Sequence, residues 1–283
     1  MYLPTPQHTR YQLVRLVGTE AVGKTFLVRD TQVADAALRI LQQLDLHSQD
    51  ESLSAFGQTL LLHRAQTLQD IFDNLSQTGT LHSYFVDGQS FYLVQAVIRG
   101  VSWVRRRFSA SLAVRQQQVL TLLQDMLMLL QQVYDQGLQS CCLYPNDIVW
   151  QPSHHRCVWT GMGVFKAISQ QIRQTELPLE SFFPGDSQGY FAPEFHQGSF
   201  HHGSDLYTLG MVSIQTLLQQ PLSAWMQATD DGGLTVAPTW HRTLGLATDW
   251  AQLLNGLTRI HPSQRYQSPI EVLQDLKDLT PVM

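Results

Sequence analysis

The sequence lacks a membrane-spanning segment. No apolar run approaches the roughly 20 residues that cross a bilayer, and the most apolar stretch, MLMLL, is flanked by Gln124, Asp125 and Gln131. The N-terminal segment MYLPTPQHTR also lacks the basic-then-apolar pattern and the small-residue cleavage site of a secretory signal. We therefore expect no membrane insertion and a cytoplasmic location.

Charge and cysteine are both scarce. Only 14% of the residues are charged and the formal net charge is -5, so we expect no nucleic-acid partner. The three cysteines, Cys141, Cys142 and Cys157, do not form a disulfide framework and indicate a reducing compartment. A zinc site with His154 and His155 is the alternative, but zinc sites usually use C-x-x-C spacing, so we interpret the cysteines as buried thiols.

The N-terminal part of the chain is rich in strand patterns. Alternating apolar and polar residues predict a strand, a glycine turn and a second strand from Tyr11 to Asp30, and a third strand from Ala36 to Leu41. Two further strands are predicted at Thr80 to Val86 and at Phe91 to Ile98. Between them, the apolar spacing from Ser52 to Asn74 predicts one long amphipathic helix.

The glycine turn also matches the Walker pattern G-x-x-x-x-G-K-[ST], from Gly18 to Thr25. A Walker loop needs a helix that begins at the lysine, so that backbone amides face the phosphates. After Lys24 the sequence continues as FLVRD, whose period of two predicts a strand. We therefore favour a β-hairpin with a solvated lysine over a Walker-type nucleotide hydrolase.

The C-terminal part is mainly helical. A strongly apolar helix is predicted from Gln116 to Gln136, ended by Gly137, and its wide apolar face places it in a core. Two short strands follow, at Ile148 to Trp150 and at Cys157 to Thr160. Four short motifs come next along the chain. They are a glycine bend at Gly161 to Gly163, GYFAPE at Gly189 to Glu194, SDLYTLG at Ser204 to Gly210 and HPSQRY at His261 to Tyr266.

In order and spacing these motifs resemble bacterial eukaryotic-like serine/threonine protein kinases, over the chain from about Tyr11 to Leu279. The resemblance implies one α+β domain over residues 1–283 with the bilobal protein-kinase-like fold. Its antiparallel β-rich N-lobe, with one long helix, would span residues 11–98, and its mainly α-helical C-lobe would span residues 99–279.

The resemblance also implies a degenerate catalytic site. Arg39 stands where kinases have the strand lysine, and Cys142 stands where they have the catalytic aspartate. Asp147 replaces the catalytic-loop asparagine, and Gly161 replaces the aspartate that holds magnesium. Tyr144 replaces the catalytic-loop lysine. We therefore expect none of these positions to be catalytic and no metal to be held.

The nucleotide-binding positions are altered as well. In the kinase glycine-rich loop the three glycines correspond to Gly18, Glu20 and Gly23, and a carboxylate at the middle position adds bulk and repels phosphate. No acid occurs from residue 52 to residue 69, and Arg64 stands at the place of the helix glutamate. We expect no bound cofactor. The hinge between the lobes corresponds to Gln95, Ala96 and Val97.

Four residues keep the family's structural pattern. By resemblance, Asp205 accepts backbone amide hydrogens of the former catalytic loop, and Glu194 pairs with Arg265 beneath the activation segment. Pro145 fixes the loop backbone where it enters the next strand.

Two further motifs have ordinary interpretations. The segment from Arg105 to Arg107, with Ser109, forms an R-R-x-S string that a basophilic kinase could phosphorylate, but a solvated helix start is favoured. His196, His201 and His202 cluster without a carboxylate or cysteine at ligand spacing, so we interpret them as surface histidines on a loop.

A partner could dock on the activation segment or on the long helix from Ser52 to Asn74, although both could equally pack inside the protein. The aromatic residues of the activation segment that would form such a patch are Phe182, Phe183, Pro184 and Phe200.

The sequence thus predicts a pseudokinase: a protein that is not an enzyme and binds another protein as a scaffold or allosteric regulator. The alternative is a residual ATP-binding sensor or a weak, atypical serine/threonine kinase that uses Arg39, Asp147 and the hinge backbone. A Walker-type hydrolase is the third hypothesis.

Overall fold

The structure is a computed structural model that describes residues 10–20, 23–46, 51–75, 77–163, 165, 189–197, 201–228, 234–237 and 239–279. The chain divides into two compact units, which are described separately. The first runs to Arg99 and includes Phe165, and the second begins at Gly100. The predicted aromatic patch lies outside the described residues.

The first unit contains a five-stranded antiparallel sheet with the order β1-β2-β3-β5-β4. As predicted, the alternating segments form strands, with small shifts of the ends. Apolar side chains of these strands, including Val28, Leu41 and Val94, are fully buried in the core. The strands are β1 (Tyr11–Glu20), β2 (Gly23–Asp30), β3 (Leu38–Asp45), β4 (Leu81–Asp87) and β5 (Ser90–Ala96).

The predicted start of β3 at Ala36 is wrong by two residues. Residues 34–36 form a short 3-10 turn instead, in which Asp35 and Ala36 have φ angles of 61° and 43°. Since positive φ is incompatible with a strand, β3 begins only at Leu38. The alternation in the sequence could not reveal this turn.

Helix α1 (Glu51–Asn74) confirms the predicted long amphipathic helix. Leu61, Ala65 and Leu68 recur at helical spacing, and all three are fully buried. The helix packs against β4, so that its apolar stripe covers the sheet of its own unit.

The second unit is built around two helices, α2 (Leu112–Asp135) and α3 (His202–Leu218), which pack on each other. The wide apolar face of α2 is buried, as predicted, but the helix begins four residues before the predicted Gln116. The reason is Arg115, which is itself buried and donates hydrogen bonds to the carbonyls of Ser109 and Ala110 just before the helix.

Short strands and two further helices complete this unit. Strands β6 (Val101–Ser102), β7 (Ile148–Gln151) and β8 (Arg156–Trp159) form a three-stranded sheet in that order. None of the described helices is long and apolar enough to cross a membrane. The remaining elements are β9 (Met226–Ala228), β10 (Leu234–Val236), α4 (Thr248–Leu257) and α5 (Pro269–Asp278).

Candidate functional site

The loop before β7 is held by a carboxylate from α3. Asp205 Oδ1 accepts the backbone N–H of Leu143 at 2.7 Å, and Oδ2 accepts the backbone N–H of Cys141 at 2.7 Å. The hydroxyls of Tyr134 and Ser140 also donate to Oδ2, at 2.8 and 3.0 Å. These four donors fix the backbone of the loop to the core helix of the unit.

The Asp205 carboxylate is almost fully shielded from solvent. Asp205 is 1% exposed, and its burial raises the pKa of the carboxyl group, although the backbone amides of Leu143 and Cys141 act in the opposite direction. Burial and the neighbouring Asp205 charge likewise raise the pKa of Tyr134. Because an unsatisfied polar group in the protein interior costs free energy, the buried Asp205 carboxylate retains its hydrogen-bond donors.

Cys142 occupies the centre of the loop, at the position that the resemblance gives to the catalytic base. Its backbone has a φ of 44°, and its amide donates to Ser140 Oγ at 3.0 Å. The side chain is in no disulfide and is 6% exposed. A neutral thiol offers no carboxylate oxygen to a substrate hydroxyl.

Asp147 is used to hold the glycine bend. Pro145 opens the short 3-10 turn that leads to Asp147 and then into β7. Asp147 Oδ1 accepts from the Thr160 hydroxyl at 2.8 Å, and Oδ2 accepts from the Gly163 amide at 2.6 Å. A Cβ atom on Gly163 would lie 2.1 Å from the carbonyl oxygen of Cys142, so only glycine fits there.

The described residues do not fit a protein-held magnesium ion. Gly161, at the family's metal position, has no side chain and a φ of 74°. Both Asp147 carboxylate oxygens already accept hydrogen bonds from the protein. Across the described part of the chain, no group of three or more His, Cys, Asp or Glu side chains could hold a metal ion. Magnesium prefers near-octahedral oxygen coordination, which these residues do not provide.

Glu194 and Arg265 meet in the second unit with both side chains buried. Ser204 Oγ adds a hydrogen bond to Glu194 Oε1 at 2.7 Å, and Arg265 also donates to the carbonyls of Arg259 and Ile260. Burial alone would raise the pKa of Glu194, but the hydrogen bonds from Arg265 and Ser204 outweigh it, so the pKa is lowered. The carboxylate is therefore held in its charged form.

An aromatic stack joins the loop to the end of the activation segment. The ring centroids of Tyr144 and Phe191 are 6.0 Å apart, and those of Phe191 and Phe195 are 4.4 Å apart, with nearly parallel planes in both pairs. All three side chains are buried. Tyr144 thus places an aromatic ring where the resemblance puts a catalytic-loop lysine.

In the first unit, Arg39 lies in β3 opposite Val28 and Ala96. Its guanidinium donates to the carbonyl of Leu38 at 3.1 Å, and its Nε is buried without a hydrogen-bond partner. Among the residues that the structure describes, no carboxylate lies within ion-pair distance of Arg39 or of Arg64 in α1. The lysine–glutamate pair of kinases therefore has no counterpart among the described residues.

The glycine turn is a β-hairpin. Glu20 at the end of β1 is opposite Gly23 at the start of β2, and Lys24 is exposed within that strand. A Walker loop requires a helix at this point, so the Walker interpretation is excluded. A Cβ on Gly23 would lie 1.8 Å from the carbonyl oxygen of Gln43, which explains the glycine by strand packing. Gly18 lies in β1, with open space where a side chain would be.

The hinge residues follow the end of the sheet. Gln95 is buried in β5, Ala96 ends the strand and is half-buried, and Val97 is exposed. The three cysteines are buried, as predicted, and none of them is in a disulfide. Burial raises the pKa of Cys157.

The predictions for the histidines and arginines need correction. His202 is the first residue of α3, and its ring stacks on that of Tyr134 with 3.7 Å between the ring centroids. His201 Nε2 lies 3.4 Å from Glu194 Oε1. These two histidines are therefore not surface residues of a loop. The arginine string is not a solvated helix start, because α2 begins only at Leu112 and Arg106 packs among aromatic rings. Neither packing arrangement has a local sequence signal.

Sequence reasoning did not assign a role to the hydroxyls of Tyr134, Thr160 or Ser204. Each contributes one hydroxyl to a buried carboxylate. Ser204 opens the SDLYTLG motif, which was the one available signal, whereas Tyr134 in a helix and Thr160 beside a strand carry no diagnostic spacing.

Comparisons with known proteins give the context of this site. No protein-family model matches the chain. Serine/threonine-protein kinase D of Synechocystis sp. is 27% identical over 272 residues, and serine/threonine-protein kinase PknA of Nostoc sp. is 24% identical over 271 residues. Both alignments cover 95% of this chain, but 52% and 47% of the relatives. The chain spans about half the length of the curated relatives it matches.

Solved structures agree with the predicted fold. Two crystal structures of the Mycobacterium tuberculosis PknI kinase domain match with TM-scores of 0.62 and 0.64, at 15% and 16% identity, and 95% of each chain is covered. These matches confirm the α+β, bilobal protein-kinase-like fold, with an antiparallel β-rich N-lobe and a mainly α-helical C-lobe. The relationship to bacterial serine/threonine protein kinases is also confirmed.

The prediction that the chain is not an enzyme is wrong by the comparison with curated proteins. The four curated relatives are all named serine/threonine protein kinases. The physical reason is that a missing group does not remove all catalysis. A positioned general base contributes about 10²–10⁴-fold to a rate, while orientation of the reactants contributes separately.

Proposed function

We propose that this relative of the bacterial serine/threonine protein kinases, whose fold it shares, is a weak, atypical serine/threonine kinase. Its main role is to bind another protein in the cytoplasm as a scaffold or allosteric regulator. One observation carries the proposal: Asp205 holds the catalytic-loop backbone in place, while the loop presents Cys142 instead of a carboxylate.

The enzymatic part of the proposal rests on what remains of the site. Phosphoryl transfer depends mostly on positioning and on neutralisation of charge. The loop backbone is fixed, so a substrate hydroxyl can still be oriented. Without a general base at Cys142 we expect transfer to be slower by about 10²–10⁴-fold than in kinases that have one.

The protein-binding part rests on the support beneath the activation segment. The buried Glu194–Arg265 pair and the stack of Tyr144, Phe191 and Phe195 fix residues at the end of that segment. Binding surfaces need such rigid support, because each mobile side chain that becomes ordered on binding costs conformational entropy and weakens the complex.

Incubation of the full chain with γ-labelled ATP and magnesium tests the enzymatic part. We expect slow, magnesium-dependent labelling of serine or threonine. Complete absence of label would refute the proposal that the chain is a kinase. Turnover in the ordinary kinase range of about 1–100 per second would refute the proposal that its activity is weak.

Pull-down from the native host tests the protein-binding part, with Tyr144→Ala as the altered bait and the exposed Asp278→Ala as the matched control. We expect a partner that Asp278→Ala retains and Tyr144→Ala loses. Equal capture by both variants would contradict a role for the stacked segment in binding.

A further inference from the structure

The Arg106 guanidinium lies inside an aromatic cluster. Its guanidinium carbon lies 4.4 Å from the Trp103 ring centroid, 4.6 Å from that of Trp150 and 5.2 Å from that of Phe108. Its Nη1 is buried and has no hydrogen-bond partner in the described part of the protein. Burial also lowers the pKa of Arg106. Ring faces attract a cation, but they do not accept its N–H groups as a carboxylate does.

Arg106 lines a cavity of about 490 Å³ within the second unit. This volume falls in the range of small-molecule sites, roughly 300–1,000 Å³. Its walls combine a second arginine, the apolar surfaces of Val104, Phe108 and Pro221, and three glutamines, Gln215, Gln219 and Gln220. Among the described residues that line the cavity, none is acidic.

The glutamines supply further donors. The indole N–H of Trp225 can only donate, and it lies 2.9 Å from Gln220 Oε1. The amide oxygen of Gln220 is therefore occupied and its NH₂ group remains for a ligand. Gln215 is arranged similarly, since its amide oxygen accepts from the Tyr190 hydroxyl. Gln219 uses its NH₂ group on the carbonyl of Ser109 and keeps an acceptor oxygen.

The charged residues in the stretch of sequence that contains Arg106 and Arg107 are all positive. Arg99, Arg105 and Arg107 are exposed, and no acid occurs from residue 88 to residue 124, although the whole chain has a net charge of -5. A local excess of positive charge raises the concentration of anions near a site.

From these observations we propose that the cavity lined by Arg106 and Arg107 binds a small carboxylate with an aromatic or otherwise planar body. The two guanidinium groups and the amide NH₂ groups would donate hydrogen bonds to the carboxylate oxygens. The planar guanidinium group matches the geometry of a carboxylate. Phe108, Val104 and Pro221 would contact the planar body. The site lies in the helical unit and does not use the catalytic-loop residues.

A second cavity that Arg106 lines is less suitable. It measures about 200 Å³, and Gln118, one of its lining residues, has a buried amide oxygen without a hydrogen-bond partner in the described protein. Its volume also lies below the roughly 300–1,000 Å³ of small-molecule sites.

Benzoate is the probe, and benzamide is its neutral control of the same shape. Titration of the ¹⁵N-labelled chain is followed through the indole N–H signals in NMR spectra. Benzoate is expected to shift the signals of Trp225, which bonds to Gln220, and Trp103, which covers Arg106. Trp240, whose indole bonds to Asn255, provides an internal control and should not shift.

Arg107→Gln is the decisive variant, because Arg107 is exposed and its replacement does not threaten the fold. We expect it to weaken benzoate binding by roughly tenfold, as for the loss of a hydrogen bond to a charged group. Arg105→Gln, also exposed but outside the cavity, should bind benzoate as the unaltered chain does. Arg106→Gln should abolish binding if it folds.

Several results would overturn the site. Benzamide binding as well as benzoate would show that no anion is recognised. Absence of shifts at millimolar benzoate would show that nothing binds. Equal weakening of benzoate binding by Arg105→Gln and Arg107→Gln would show that the binding comes from diffuse surface charge. Tighter binding of phenyl phosphate than of benzoate would show that the site recognises a phosphate and not a carboxylate.

Discussion

Arg265 and Glu194 form a buried, bidentate ion pair, with Nη1 2.5 Å from Oε1 and Nη2 2.8 Å from Oε2. The two residues are 71 positions apart in the chain. The pair therefore connects the end of the activation segment to the segment between α4 and α5. A planar guanidinium that also donates to three backbone carbonyls has little freedom to rearrange.

Glu194→Ala should destabilise the protein by about 3–5 kcal/mol, because it leaves the buried Arg265 charge without its carboxylate. Urea unfolding measures the effect. Asp278→Ala, which removes an exposed carboxylate from the end of α5, is the control and should change stability by less than about 0.5 kcal/mol. An unchanged midpoint in Glu194→Ala would contradict the structural importance of the pair.

The same pair gives a pH dependence. Since the folded-state pKa of Glu194 is lowered, its contribution to stability is present above the unfolded pKa and is lost as pH falls through the folded value. The stability difference between the natural chain and Glu194→Gln should therefore shrink on acidification from neutral pH to below about 4. Asp205, whose pKa is raised, is common to both proteins and largely cancels in the comparison. A difference that does not change with pH would contradict this linkage.

Asp205→Asn should loosen the catalytic loop. An amide has one oxygen in place of two, so its NH₂ group would face a backbone N–H of Cys141 or Leu143. We expect a loss of at least about 2 kcal/mol and faster hydrogen exchange at these two amides. Exposed Asp135→Asn at the end of α2 is the matched control. Unchanged exchange at Cys141 and Leu143 would argue against the network.

Gly163→Ala tests the close contact in the glycine bend. Its new Cβ would meet the Cys142 carbonyl oxygen at 2.1 Å, and backbone must move to relieve the clash. Thermal unfolding should show a loss of more than about 1 kcal/mol. Gly18→Ala, where nothing lies within 4 Å of the added atom, should be nearly neutral. Equal stability of the two variants would contradict the packing of the bend.

The double variant Cys142→Asp with Gly161→Asp should transfer phosphate faster than the natural chain, by about 10²-fold or more, because it adds a general base and a metal-binding carboxylate. Both positions have positive φ, which Asp tolerates better than most residues. Asparagine at both positions gives the same shape without the charge. Equal rates in the aspartate and asparagine variants would show that these carboxylates do not limit the reaction.

The sequence by itself determined most of the local structure and the resemblance to bacterial serine/threonine protein kinases. Periods of two and of 3.6 located the five strands of the first unit, α1 and most of α2, because each pattern depends on neighbours within a few turns. The ends of β3 and α2 were misplaced, since a positive-φ turn at Asp35 and the carbonyl contacts of Arg115 are not encoded in periodicity.

Only the tertiary structure decided which polar and charged groups meet. The four donors around Asp205, the two hydrogen bonds that occupy Asp147, and the rings around Arg106 involve residues that are mostly distant in the chain. The sequence shows that Cys142 and Gly161 lack carboxylates. It could not show that the oxygens of Asp147 are already engaged, because that depends on how the loop and the bend fold onto each other.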